Sequence, residues 1–196
     1  PSWCSSPSIM SARSADSSMS VLGGPWSKTA RSARTGDHFI GTNRNGDQLG
    51  GNGTVRLFGS SHTIGGLGSG KANTIAHTSA GKVTVTGSGS NGHTIRGNRM
   101  FDNGGSVGID LANDDRTSND VGDGDDGANK LQNFPEIQST GYDSGANEVT
   151  VEYLVPSDPN SGGAGPSVYP LQVDFYKADA DAQEGKAYLG TDEYSS

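Results

Sequence analysis

Short runs in which apolar and polar residues alternate dominate the chain after about residue 38. Three of them are TVRLFG (54–59), KVTVTG (82–87) and SVGIDL (106–111). Alternation with a period of two is typical of a strand that buries one face and leaves the other wet. Glycine closes the first two runs, so the pattern predicts short strands joined by tight turns.

These runs recur along the chain at similar intervals. Val55, Val83 and Val107 are separated by 28 and then 24 residues, and a Thr-Ile pair preceded by His or Asn occurs in the segments 61–66, 72–77 and 92–98. Intervals of 20 to 30 residues between short strands indicate a solenoid. One short strand cannot bury its apolar face alone, but stacked coils can share a continuous interior. The His and Asn residues are then expected at corners, where their side chains stack from coil to coil.

The pattern changes after Pro135. The runs 147–155 and 170–179 alternate well, and 186–194 begins another strand. They resemble an antiparallel immunoglobulin-like sandwich, which needs about seven strands where only three or four are present. We therefore expect an incomplete module, and the rest of a larger polypeptide outside this piece.

Four segments follow from these patterns. Residues 1–36 are rich in serine and have no period, which favours a disordered segment or a mis-predicted gene start. Coils of a parallel β-helix are predicted over 37–118, an acidic cap or joint over 119–135, and the incomplete β-sandwich over 136–196. The predicted fold class is all-β: a few coils of a parallel β-helix, followed by a partial antiparallel β-sandwich.

Composition agrees with an all-β chain and limits the partners. Only 30% of the 196 residues are hydrophobic and 31 are glycine, too little for a broad helical core. Residues 1–101 hold ten basic and three acidic residues, a balance of +7, whereas 102–196 hold four basic and nineteen acidic residues, a balance of −15. This distribution argues against a nucleic-acid partner. No apolar run is long enough for a membrane span, and Cys4 has no second cysteine for an internal disulfide.

The segment NDVGDGDDGANKLQNFP (119–135) is the strongest candidate for chemistry. Calcium takes six to eight oxygen ligands, and this segment offers Asp120, Asp123, Asp125, Asp126 and Asn129. The EF-hand pattern fails, because loop position twelve counted from Asp123 is Phe134 and not Glu. The segment is therefore either a calcium site or a solvated acidic cap. In both cases we expect Leu131 and Phe134 to close the open end of the solenoid.

Three other patterns have simpler explanations. GGLGSGKA (65–72) lacks the Ser or Thr that a phosphate-binding loop needs after its lysine, so it is interpreted as a glycine turn. GGSVG (104–108) matches a nucleophile elbow at Ser106, but a strand follows where that motif requires a helix. His62, His77 and His93 are candidate metal ligands, although a stacked histidine ladder or solvent exposure is the commoner outcome.

The segments HFIGTNRNGD, HTIGG, NTIAHTSAGKVTVTG and HTIRGNRMFDNGGSVGIDL resemble right-handed parallel β-helix repeat proteins. The acidic segment resembles the one that such secreted bacterial proteins carry after their last coil. The resemblance covers roughly residues 38–196 and implies extracellular or cell-surface placement, often within very large chains. It implies no reaction. This chain departs from the pattern in having few coils, and in having His62 and His93 where Asn is commoner.

The function expected from these observations is binding rather than catalysis. The chain would be part of an extracellular or cell-surface β-helix protein that adheres to polysaccharide, to a cell-surface glycan or to a neighbouring cell. The alternative is a polysaccharide lyase or glycoside hydrolase of the β-helix type. Its candidate residues are Asp102 and Asp110, with Arg96 or Arg99. A face for ice or mineral would need a regular threonine row, and only Thr84 and Thr86 offer one.

Overall fold

A computed structural model describes residues 38–104, 107–160 and 167–195, together with the backbone of short strands before residue 36. Its strands are β1 (Trp3–Cys4), β2 (Ser18–Leu22), β3 (Lys28–Arg31), β4 (Arg34–Thr35), β5 (Phe39–Ile40), β6 (Thr54–Leu57), β7 (Thr63–Gly65), β8 (Thr74–Ala76), β9 (Val83–Val85), β10 (Thr94–Arg96), β11 (Arg99–Phe101), β12 (Ile109–Leu111), β13 (Glu136–Asp143), β14 (Glu148–Leu154), β15 (Leu171–Ala178) and β16 (Gly185–Tyr194). Within the described residues the only helical element is a 3-10 turn, Ala128–Leu131, and no helix there is long and apolar enough to cross a membrane. The all-β prediction is confirmed.

Strands β4 to β12 form three sets of parallel partners. The sets are β4-β7-β10, β5-β8-β11 and β6-β9-β12. Because consecutive strands belong to different sets, the chain visits all three in rotation, three times over. We call each passage a repeat. Strand β2 pairs antiparallel with both β6 and β3, which extends the third set to a five-stranded sheet.

One hydrophobic core is shared by the three parallel sets. Val55 is in register with Val83, as the sequence interval predicts, and Val83 is in register with Ile109. The sequence interval of 24 residues predicts Val107 as the partner of Val83, and this prediction is wrong. The partner is Ile109, 26 residues after Val83. Side chains of the core are at most 8% exposed, and they are Val55, Leu57, Ile64, Ile75, Val83, Val85, Ile95, Met100, Ile109, Leu111 and Ala128.

The Thr-Ile motifs are distributed over two sheets. Ile64 and Ile95 are in register on β7 and β10. Ile75 lies instead on β8, in register with Ile40 and Met100. Two motifs therefore stack directly, and the third fills the same core from a neighbouring sheet.

The C-terminal strands form two antiparallel hairpins, β13-β14 and β15-β16, and β1 pairs with β15. The predicted runs 147–155, 170–179 and 186–194 are confirmed as strands. Their small core is separate from the one above and comprises Val155, Leu171 and Val173 with Tyr153, Tyr169, Phe175 and Tyr194. That these strands belong to a larger sandwich stays a prediction.

The second hairpin is fixed to the last repeat by polar contacts. The guanidinium of Arg96 donates two hydrogen bonds to the carboxylate of Asp174, at 2.9 and 2.5 Å. The backbone N–H of Gly97 donates to the Tyr176 hydroxyl at 2.8 Å. Because the Asp174 side chain is 2% exposed, this two-pronged ion pair is shielded from water and holds the hairpin in a defined place.

Before residue 36 the structure describes only the backbone of strands β1 to β4. The prediction that residues 1–36 are disordered or mis-predicted falls on a segment in which only strand backbone is described, and it stays a prediction.

Candidate metal centre

The acidic joint, residues 119–135, is closed by paired hydrogen bonds from two asparagine side chains. The Asn119 amide donates to the carbonyl of Phe134 at 3.0 Å and accepts from its backbone N–H at 2.9 Å. Asn133 does the same with Asp120, accepting at 3.1 Å and donating at 2.8 Å. Both ends of the segment are therefore tied together, which confines the four aspartates to a short loop.

Three of those aspartates converge. One carboxylate oxygen from each of Asp120, Asp123 and Asp125 lies within 4.8 Å of the others. Asp123 is 1% exposed and is fully hydrogen-bonded: one oxygen accepts from the Asn133 N–H at 2.8 Å, and the other accepts from the Ser167 hydroxyl. The buried Asp123 thus anchors the group in place.

The other two carboxylates are incompletely satisfied. Asp120 accepts the Gly124 N–H through Oδ2 at 3.0 Å, but its Oδ1 is buried without a hydrogen-bond partner, and so is Oδ1 of Asp125. A buried polar atom without a partner costs free energy. Two such atoms beside a third carboxylate form an environment that a cation would stabilise.

Repulsion among the three carboxylates also favours a bound cation. Burial raises the pKa of Asp125 above its ordinary value, and the negative charges of Asp120 and Asp123 raise it further. Like charges at this separation disfavour ionisation. A bound cation would reverse that effect and hold all three groups in the carboxylate form.

Two of the five predicted ligands have other partners. The Asp126 carboxylate lies 3.3 Å from the Lys130 ammonium, at the surface. Asn129 accepts the His93 N–H at 2.9 Å and donates to the His93 carbonyl at 3.3 Å. The structure therefore brings together Asp120, Asp123 and Asp125, and leaves Asp126 and Asn129 outside the group.

Asn129 instead continues one of the corner ladders. The His62 N–H donates to Nδ1 of His93 at 3.2 Å, and the His93 N–H donates to Asn129. The two imidazole rings stack with centroids 5.1 Å apart and planes 8° apart. The predicted histidine ladder is thus confirmed for this pair, and burial, followed by the neighbouring His62, lowers the pKa of His93 to about 4. His77 lies elsewhere, edge-on to Phe101.

A second ladder follows the same rule. The Thr78 N–H donates to Oδ1 of Asn103 at 3.1 Å, and the Asn103 N–H donates to Oε2 of Glu184 at 3.1 Å. Oε1 of Glu184 also accepts from the Asn103 side-chain amide at 2.9 Å. Glu184 belongs to the second hairpin, yet it occupies the place that the next repeat would fill.

A third ladder joins all three repeats. The His38 N–H donates to Oδ1 of Asn73 at 3.2 Å, and the Asn73 N–H donates to Oδ1 of Asn98 at 3.1 Å. The predicted ladder of asparagine side chains is confirmed here, and His38 joins it through its backbone N–H.

Glu184 is the most perturbed carboxyl group in the described part of the chain. Its side chain is fully buried. Burial raises its pKa to about 7, the two Asn103 hydrogen bonds oppose that rise, and the charges of Asp179 and Asp181 add to it. Sequence reasoning did not select Glu184 or Ser167, because each meets its partner from a distant part of the chain.

Leu131 and Phe134 behave differently from each other at the end of the repeats. Leu131 packs against the shared core, as predicted, beside the buried Ala128. Phe134 lies outside that core, and the Arg116 guanidinium is 4.4 Å from its ring centroid. Closure of the core therefore comes from Ala128 and Leu131.

The residues proposed for a lyase or hydrolase are not assembled. Arg96 is committed to Asp174, and the Arg99 guanidinium donates to the Lys186 carbonyl at 3.2 Å. Asp102 follows β11, whereas Asp110 lies on β12 and is 2.6 Å from the Lys82 ammonium. Arg96, Arg99 and Asp110 therefore have structural roles, and the Asp102 carboxylate lies 3.8 Å from the Lys186 ammonium.

The remaining motifs also have structural explanations. Gly65 ends β7 with a φ of 82°, and a Cβ there would lie 2.3 Å from the Arg96 carbonyl oxygen, so the first glycine of GGLGSGKA is required by the close approach of two chains. Ser106 lies outside the described residues, but the predicted strand after it is confirmed as β12. Comparisons of the chain with known protein families, with curated proteins and with solved structures find no match.

Proposed function

We propose that the chain is the end of a right-handed parallel β-helix in an extracellular or cell-surface protein, that its role is binding rather than catalysis, and that a calcium ion stiffens the acidic joint. The solenoid part is supported by the rotation of the chain through three parallel sets and by their shared core. Each repeat would then be one coil.

One observation carries the calcium proposal. Where the coils end, three carboxylates meet within 4.8 Å, and two of their oxygens are buried with no hydrogen-bond partner. The group offers only oxygen ligands, which suits calcium rather than zinc or copper. Asp120, Asp123 and Asp125 would hold the ion, and backbone carbonyls or water would complete the six to eight ligands that calcium takes.

The position of the group explains what the ion would do. Asp123 accepts hydrogen bonds from Asn133 within the joint and from Ser167 just before the second hairpin. An ion on Asp123 would therefore link the last coil, the joint and the C-terminal strands. A rod that adheres to a surface transmits force through such a joint, so stiffening it suits an adhesive role.

A binding role toward polysaccharide or cell-surface glycan fits the rest of the molecule better than catalysis. The polar residues proposed for a lyase or hydrolase are held in separate ion pairs and hydrogen bonds. In contrast, the three parallel sets of strands present regular faces for contact.

Thermal melting at increasing calcium concentration tests the metal site. A ligand that binds only the folded state stabilises it by about 2.7 kcal/mol at a hundredfold excess over Kd. We expect the melting temperature of the chelated protein to rise by several degrees with calcium, and Asp125→Asn to abolish most of the rise. Asp143→Asn, on the exposed turn between β13 and β14, is the matched control and should respond like the wild type. No rise at millimolar calcium in the wild type would refute the metal site.

A further inference from the structure

A broad groove lies beside the acidic joint. It has a volume of about 870 Å³ and runs between the joint, the segment after β14 and the end of β16. Its apolar lining includes Leu154, Tyr169 and Tyr194, and Leu154 is 45% exposed. The volume falls within the range of ligand-binding clefts.

The polar lining of the groove is acidic. Asp120, Glu136 and Asp158 contribute carboxylates, and none of the described lysines and arginines lines it. Glu136 uses Oε1 to accept from Asn119 at 3.0 Å, and Asp158 uses Oδ1 to accept from the Asn160 N–H at 2.8 Å. Each of these two carboxylates keeps a second oxygen that accepts no hydrogen bond within the described residues.

A hydrogen bond and a ring contact fix the orientation of Tyr169 in the groove. The Tyr169 hydroxyl donates to the Ser157 carbonyl at 2.8 Å, and its ring lies 6.2 Å from that of Tyr194. Fixed aromatic rings give an apolar contact surface without an entropy cost on binding. A groove that offers both planar acceptors and aromatic surface matches a sugar ring, which has hydroxyl donors at its rim and C–H groups on its faces.

We infer that this groove binds a neutral glycan and rejects uronate and sulfated polymers. Neutral hydroxyl groups donate well to carboxylates, and such charge-assisted hydrogen bonds are stronger than neutral ones. In the calcium-free protein, anionic polymers would face three carboxylates without a compensating basic residue among the described residues that line the groove, and like charges across an interface oppose binding. The inference deepens the proposed binding role and rests on it. Because Asp120 belongs to both the groove and the aspartate group, the groove and the metal site share one wall.

Titration of the full chain, with a chelator present, tests the inference. The probes are soluble neutral glucan, mannan and galactan oligosaccharides, oligogalacturonate, a sulfated galactan and an oligolysine peptide. We expect saturable binding of at least one neutral oligosaccharide and none of the anionic ones. Glu136→Gln and Asp158→Asn each keep the oxygen that accepts the internal hydrogen bond and lose the charge, so each should weaken binding about tenfold. Glu148→Gln, at the other end of the same hairpin as Glu136, is the matched control and should bind like the wild type.

The outcomes separate this inference from the metal site. Binding of the anionic polymers with equal affinity, binding only of an oligolysine peptide, or no binding of any neutral oligosaccharide would each overturn the groove assignment. A calcium-dependent melting temperature would leave the metal site standing in all three cases. Neutral-glycan binding without any effect of calcium on melting would support the groove and refute the metal site.

Discussion

Glu184 should make the stability of this protein fall as the pH rises toward neutrality. Its carboxyl group is fully buried and accepts two hydrogen bonds from Asn103. Burial raises its pKa to about 7 from an ordinary value of 4.5. Between these two values the folded state keeps a proton that the unfolded chain has lost.

The size and sign follow from proton linkage. A pKa of about 7 against 4.5 corresponds to about 3 kcal/mol. Because the folded-state pKa is the higher one, this stability is fully present below about pH 4.5 and is lost as the pH rises through about 7. The neighbouring Asp179 and Asp181 strengthen the effect, since they disfavour a charged Glu184.

Urea unfolding, followed by circular dichroism with a chelator present, measures the effect between about pH 4 and pH 8. The variant Glu184→Gln has no proton to lose. It exchanges one acceptor oxygen for an amide and so loses one hydrogen bond to Asn103, a cost of about 1 kcal/mol at every pH. The difference in unfolding free energy between wild type and variant should therefore change by about 3 kcal/mol across the range. If the two pH profiles stay parallel, the reasoning about Glu184 is wrong.

Two further predictions concern the repeats. Burial holds the pKa of His93 at about 4, below its ordinary 6.5. The neutral imidazole therefore contributes about 3 kcal/mol of stability above about pH 6.5, and this contribution is lost as the pH falls through about 4. His93→Asn keeps an acceptor for the His62 N–H and should remove this loss of unfolding free energy at acid pH, whereas an unchanged loss would contradict the assignment. Leu57 is fully buried, so Leu57→Ala should lower the unfolding free energy by about 2 to 5 kcal/mol. The Leu49 side chain is 67% exposed, so Leu49→Ala should change the unfolding free energy by less than about 0.5 kcal/mol. Equal losses at both positions would count against a shared core around Leu57.

Local alternation and repeated motifs predict the strands well, because the alternation of apolar and polar residues within one strand already indicates which face is buried. The register of Val55 with Val83 follows from the sequence interval, and that of Val83 with Ile109 does not. The reason is that the turns differ in length: paired residues are 31 apart between β7 and β10 but 25 apart between β8 and β11. A fixed period therefore fails from one sheet to the next.

The candidate site is predictable only in part, for a similar reason. A run of acids indicates that a cation is plausible, yet only the fold decides which carboxylates converge. Asn129 is drawn away from Asp123 because the His93 N–H needs an acceptor. Ser167 and Glu184 reach their partners over 44 and 81 residues, and no local pattern marks such contacts.

Both corner ladders that reach the last described repeat are finished by residues from outside the repeats. Asn129 comes from the acidic joint and Glu184 from the second hairpin, and each offers the acceptor that one further repeat would supply. Any repeat that presents a histidine and an asparagine at these two corners, and an arginine where Arg96 meets Asp174, would offer the closing residues the same polar partners. The number of repeats could therefore vary while the closing segment stays the same.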